Sequence, residues 1–317
     1  MSVRTLLRAL TLALAVALLG ACGNEDGEAE SGASQQPQGA RLRITLGTQE
    51  FPEARILGEL WRQALAVNGY TVDLRKGVGP AADLDRALRD GEIDGHVAYT
   101  GTVLSVVAGE DVTGLDPDRT YRAAKEFYDG RGMAMSKMTP FQNVDAIATT
   151  EAFAQQNDLE SIDDLAKLKS LTLGARPEFE SLYLGLEGLR DLYGLDNAEF
   201  MPITLGEQYA ALDEGEADAV NAFSTDPQLE GGDYNVLEDP KLLFGSQNVV
   251  MTVDSEKLDR VGKDKFLQVV NAVNDRLTQD TIVEMNSAVT DGQADVDVAR
   301  RFLREAGLLE PIGSESS

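Results

Sequence analysis

One phrase occurs twice in this chain. Ala87-Leu88-Arg89-Asp90-Gly91-Glu92-Ile93-Asp94, running on to Tyr99-Thr100, returns 124 residues later as Ala211-Leu212-Asp213-Glu214-Gly215-Glu216-Ala217-Asp218, running on to Phe223-Ser224. Each copy reads as a helix end, a Gly stop, and a short strand with an aromatic and a hydroxyl at its carboxyl end. Upstream, Leu46-Gly47, Glu50-Phe51 and Leu57-Gly58 return as Leu173-Gly174, Glu178-Phe179 and Leu184-Gly185, at offsets of 127 or 128. A period this long describes domains, not the stacked units of a solenoid. The echo therefore predicts two similar α/β lobes, and open sheets of that class hold ligands at the carboxyl ends of their strands.

The ends of the chain are of a different character. Arg4 and Arg8 precede an apolar run over Ala9 to Leu19 that is too short to span a bilayer, and Leu19-Gly20-Ala21-Cys22 follows. This reads as a secretory signal peptide over 1–21 ending in a lipobox, with Cys22, the sole cysteine, as the lipidation site. Residues 22–40 are Gly, Glu, Ser and Gln with little that is apolar. Such a stretch does not offset the entropy of ordering and reads as a tether. The predicted localisation is extracytoplasmic, on the cell membrane through the acylated Cys22. The formal charge is −26, and losing Arg4 and Arg8 makes it more negative by two. An acidic body of this kind is repelled by nucleic acid.

The body from about 41 onward suits two lobes of ordinary size. Strands are predicted at 42–47, 70–74, 96–99, 144–148, 171–174, 200–203, 219–223 and 248–253. Amphipathic helices fall between them, with three more closing the chain. The first lobe is expected over 41–141 and 228–317 and the second over 142–227, giving a clamshell with two crossings.

Catalysis finds few tools here. With one histidine, His96, inside an apolar strand and one cysteine assigned to lipid, a zinc site or a Ser-His-Asp triad lacks its parts. Gly77-Val78-Gly79-Pro80 does not continue as a dinucleotide loop. Asp291 to Asp297 lacks calcium-loop spacing, and Asp295 or Asp297 is expected to cap the last helix. No catalytic residue, metal or cofactor is predicted.

Gly47-Thr48-Gln49-Glu50-Phe51-Pro52-Glu53, Tyr99-Thr100-Gly101-Thr102 and Ala222-Phe223-Ser224-Thr225-Asp226, with Phe141-Gln142-Asn143 and Pro177-Glu178-Phe179, resemble the substrate-binding proteins of glycine betaine, choline and related quaternary-ammonium ABC importers. The resemblance covers about 43–308. It implies a two-lobed, type II periplasmic-binding-protein-like α/β clamshell, no enzymatic activity, a small-molecule solute, ABC permease subunits as partners, and a monomer. Tyr99 matches a tyrosine of the family's aromatic cage, Thr102 the hydroxyl beside it, and Tyr209 a tyrosine near the cleft. Gln49 stands where betaine binders often carry Lys, and Gln247 falls near a further cage tyrosine. Asp145 replaces a cage tyrosine, and Leu182 aligns with the family's carboxylate-clamping Arg.

These departures remove rings and a cationic anchor. Asp145 would instead offer a counter-charge, so a cationic or polar ligand such as choline is expected in preference to glycine betaine. Gln49, Tyr99, Thr102, Asp145, Tyr209 and Gln247 form the expected ligand site. A ligand-sensing lipoprotein, or a two-lobed enzyme of similar architecture, would share the same outline.

Overall fold

The computed structural model describes residues 42–313. The leader, Cys22 and the tether lie outside the described residues.

The chain runs through β1 (Arg43–Gly47), α1 (Pro52–Val67), β2 (Thr71–Arg75), α2 (Ala81–Arg89), β3 (Gly95–Tyr99), α3 (Pro117–Asp129) and β4 (Met133–Met135) before it leaves the first lobe. The second lobe holds β5 (Asp145–Thr150), α4 (Glu151–Asn157), α5 (Ile162–Leu165), β6 (Leu171–Ala175), α6 (Gly188–Tyr193), β7 (Ala198–Pro202), α7 (Gln208–Asp213), β8 (Ala219–Phe223) and β9 (Tyr234–Leu237). The chain then returns through β10 (Val249–Asp254), α8 (Ser255–Val261), α9 (Lys263–Asn274), α10 (Gln279–Thr290) and α11 (Asp295–Glu305).

Two five-stranded sheets form, in the orders β2-β1-β3-β10-β4 and β7-β6-β8-β5-β9. They correspond strand for strand. In each, three strands are parallel and a fourth, β10 or β5, runs antiparallel as the first strand after a crossing. Helices pack on each sheet and bury the central strands β3 and β8 almost throughout, while the edge strands β2 and β7 stay partly exposed. The second lobe extends past the expected boundary at 227, because β9 pairs antiparallel with β5. Tyr234-Asn235-Val236-Leu237 is a four-residue edge strand, and so short a run carries almost no periodic signal.

The echoed phrase has a physical cause. Gly91 and Gly215 both take positive φ, 71° and 70°. There the chain turns back, so that Glu92 N–H donates to Ala87 and Glu216 N–H to Ala211, each at 2.9 Å. The Asp three residues on then clamps the neighbouring strand. Asp94 accepts from Thr45 N–H at 2.7 Å and Asp218 from Thr172 N–H at 2.8 Å, while their own N–H groups donate to the same two residues. Each lobe thus fixes the register of one parallel pair, β1 with β3 or β6 with β8, with one carboxylate.

The crossings are tied together as well. Gln142 bridges Asn248, Asn143 N–H donates to Gln247 O at 3.1 Å, and Ser224 Oγ donates to Gln142 O at 3.0 Å. At their centre is Glu53, in the first turn of α1, where the helix dipole favours an anion. Its carboxylate is buried and accepts from Tyr99 Oη at 2.8 Å, Asn143 Nδ2 at 2.9 Å and Asn286 Nδ2 at 3.1 Å. Asn286 Nδ2 also donates to Thr225 O of the second lobe at 3.1 Å. Burial raises the Glu53 pKa, while the bonds from Asn143, Thr225, Tyr99 and Asn286 pull it down.

Asp218→Ala is expected to cost about 1 to 3 kcal/mol, the range for a hydrogen bond to a charged group plus a stranded donor. Asp218→Asn, which keeps an acceptor, should cost less, and chemical denaturation reads both. Glu53 gives a pH signature. With its folded pKa above the ordinary 4.5, the unfolded chain releases the proton first. Stability is fully present below that value and falls as pH rises through the raised one. The unfolding free energy of the wild type minus that of Glu53→Gln should therefore decline over this interval, and a flat difference would contradict the assignment.

Candidate functional site

Among the described residues, several chambers between the lobes are lined from both, and two of them hold the charged and aromatic groups of interest. The first, of about 420 Å³, has Phe51 and Glu53 on the first-lobe side, Leu205, Phe223 and Asp226 on the second, and Asn143 from the crossing. The second, of about 600 Å³, is lined by Thr102, Glu110 and Asp111 of the first lobe, Asp145, Arg176 and Tyr183 of the second, and Gln247 from the return crossing.

Of the six predicted residues, Thr102, Asp145 and Gln247 meet in the larger chamber. Thr102 N–H donates to Gln247 Oε1 at 2.9 Å, and its hydroxyl lies 3.3 Å from the same oxygen. Gln49, Tyr99 and Thr102 share a small cavity of about 10 Å³ with His96 and Tyr128. That is room for about one water. His96 is buried there, its Nδ1 2.9 Å from Val97 O, and burial pushes its pKa down. The Tyr99 ring stands 5.9 Å from Phe51. Burial and the adjoining Glu53 charge hold its hydroxyl proton tightly, which keeps it a donor.

Tyr209 has a different role from the one expected. Its ring packs 4.8 Å from Tyr234 in the second lobe's interior, and its hydroxyl donates to Asp226 Oδ2 at 2.8 Å. It therefore stands behind Asp226, which lines the smaller chamber and whose carboxyl pKa is raised by burial. The same Oδ2 accepts from Phe223 N–H at 3.0 Å. A tyrosine on an amphipathic helix points inward as readily as to a cleft, and sequence does not distinguish the two.

The larger correction concerns charge. Asp145 is not a free counter-charge, because Arg176 grips it with Nη1 to Oδ1 at 2.6 Å and Nη2 to Oδ2 at 3.3 Å. Nor does the cleft lack a cationic residue. Arg176 sits just past the end of β6, with its guanidinium 5.2 Å from the Phe179 ring and 5.5 Å from that of Phe223. The expected position for such a cation, Leu182, is 40 % exposed on the rim. The echo contained the signal: at the offset that pairs Gly47 with Gly174, Gln49 pairs with Arg176. Asp295 also departs from expectation. It opens α11 without capping it and instead binds Arg55 and Lys76 at 3.1 and 3.0 Å.

Irregular backbone shapes both rims of the larger chamber. Val103–Ala108 and Tyr183–Glu187 are wide π-type turns where regular helix was expected for the second and no element for the first. Such turns are frequent at functional sites. They expose Val106 and Tyr183 at the chamber's edge.

Comparison with known proteins places this geometry. Residues 43–305 match the family described as the substrate binding domain of ABC-type glycine betaine transport systems. A glycine-betaine-binding protein of Pseudomonas aeruginosa is 30 % identical over 287 residues, 86 % of this chain and 90 % of the relative. Among solved structures, a glycine betaine/carnitine/choline ABC transporter protein superposes with a TM-score of 0.75 at 24 % identity, over 84 % of this chain and 100 % of the other. Lactococcal OpuAC, closed and complexed with glycine betaine, does so with 0.59 at 15 % identity, over 84 % and 97 %. The expected type II periplasmic-binding-protein fold is thereby established. Through its matched length, its strand order and its cleft between two lobes, the chain belongs to the substrate-binding proteins of ABC-type glycine betaine transport systems.

Proposed function

We propose that this protein is a lipid-anchored, extracytoplasmic receptor that captures a small quaternary-ammonium osmolyte between its lobes and hands it to an ABC permease, with no bond made or broken. The observation that carries the ligand class is the smaller chamber. A methylated nitrogen has no N–H to donate, so it is recognised by ring faces and negative charge. Phe51 and Phe223 supply rings, and Glu53 and Asp226 supply carboxyls whose hydrogen bonds are already made by protein donors. Carboxyls satisfied in this way attract a cation without demanding a donor from it. An ordinary ammonium ion would gain less here, because its own N–H groups compete for acceptors that are in use.

Closure follows from the same contacts. A cation touching Phe51 and Glu53 on one lobe and Phe223 and Asp226 on the other stabilises the shut form by its differential affinity. The membrane anchor in this reading rests on the lipobox at Leu19 to Cys22.

Titration calorimetry on the purified full-length chain with choline and glycine betaine tests the ligand class. Binding near 1 μM, about −8 kcal/mol, is expected for at least one of them. Phe51→Ala and Phe223→Ala should each lose about 1 to 2 kcal/mol of that, the worth of a desolvated ring. Absence of binding by both ligands, or equal binding of their primary-amine analogues, would overturn the proposal.

A further inference from the structure

We infer that Asp145 occupies, on Arg176, the position a ligand's carboxylate takes, so that the protein disfavours zwitterionic quaternary-ammonium compounds relative to purely cationic ones, because only the zwitterion must exchange one carboxylate for another. This rests on the quaternary-ammonium reading above and adds a specificity device to it.

The pair has the geometry of a recognition site. Two guanidinium nitrogens face two carboxylate oxygens, the fork-on-fork arrangement that arginine forms with carboxylates in general. Arg176 is held from several sides. The Phe179 and Phe223 rings lie within 5.5 Å of its guanidinium, Asn221 Oδ1 accepts from Nη1, and Glu178 lies 3.4 Å from Nε. Its side chain is 16 % and that of Asp145 21 % exposed, and both line the larger chamber.

A half-buried ion pair adds little to stability, because desolvation cancels most of its attraction. Its worth therefore lies in what it does in the chamber. Asn221 Nδ2 donates to Asp145 Oδ1 at 2.9 Å and is equally placed to serve a carboxylate seated there.

The surroundings decide which anions are admitted. Glu110 and Asp111 line the same chamber, so a simple anion meets repulsion on entry. A zwitterion carries its own cation, which the smaller chamber holds. Choline has no carboxylate and leaves the Asp145–Arg176 pair as it is, whereas a betaine must displace Asp145. Asp145 is thus a built-in competitor whose removal favours the zwitterion alone.

Calorimetry with glycine betaine and choline on full-length wild type, Asp145→Asn, Arg176→Gln and Arg176→Lys tests this, with thermal melting to verify that each variant folds. Asp145→Asn should tighten glycine betaine about fivefold or more and change choline by less than about twofold, since only the zwitterion gains a charge-assisted bond. Arg176→Gln should weaken glycine betaine about tenfold or more, with choline again little changed, and Arg176→Lys, which keeps the charge and loses the fork, should fall between. If Asp145→Asn weakens either ligand, or shifts both equally, the inference is overturned while the quaternary-ammonium reading stands. If the wild type binds neither ligand, that reading fails and this one with it.

Discussion

The smaller chamber and the crossings beside it are positioned from one buried carboxylate. Glu53 gathers the end of β3 through Tyr99, the outgoing crossing through Asn143 and the C-terminal helices through Asn286, which itself reaches the second lobe at Thr225. A buried polar network of this kind is costly to break, because a donor that loses its acceptor keeps the penalty of its desolvation. Losing the acceptor would strand donors from β3, the outgoing crossing and α10, so Glu53 couples the crossings to the chamber beside them.

The second organising device is repetition. Gly91 with Asp94 and Gly215 with Asp218 make the same turn and the same carboxylate clamp in lobes whose cores share no residues. Each clamp sets where a parallel strand begins, and the far ends of those strands carry Tyr99 and Phe223. The lobes then diverge at the next position out, where Gln49 in one corresponds to Arg176 in the other. A pseudo-symmetric frame thus holds an asymmetric site, which suits a ligand with two unlike ends.

The charges are divided accordingly. The smaller chamber combines rings with carboxyls already bonded to protein donors, and the larger one combines an arginine with acids. The acidic body as a whole favours cations and is indifferent to their detail. Discrimination between one cation and another must come from local geometry, because long-range fields are screened within about a Debye length.

The sequence by itself determined the two lobes, most of their strands, the family and the neighbourhood of the cleft, because these follow from local periodicity, Gly-stopped helices and motifs read along the chain. It also brought Thr102, Asp145 and Gln247 to one chamber. Tertiary structure alone decided what the charged and aromatic residues do. Asp145 and Arg176 are 31 residues apart, Tyr209 and Asp226 are 17 apart, and Glu53 and Asn286 are 233 apart. No spacing rule links such pairs, since they meet only where separate helices and strands come together in the tertiary fold. Likewise β9 and the two wide turns depend on edge pairing and on backbone packing at the rim, which leave no periodic mark in the chain.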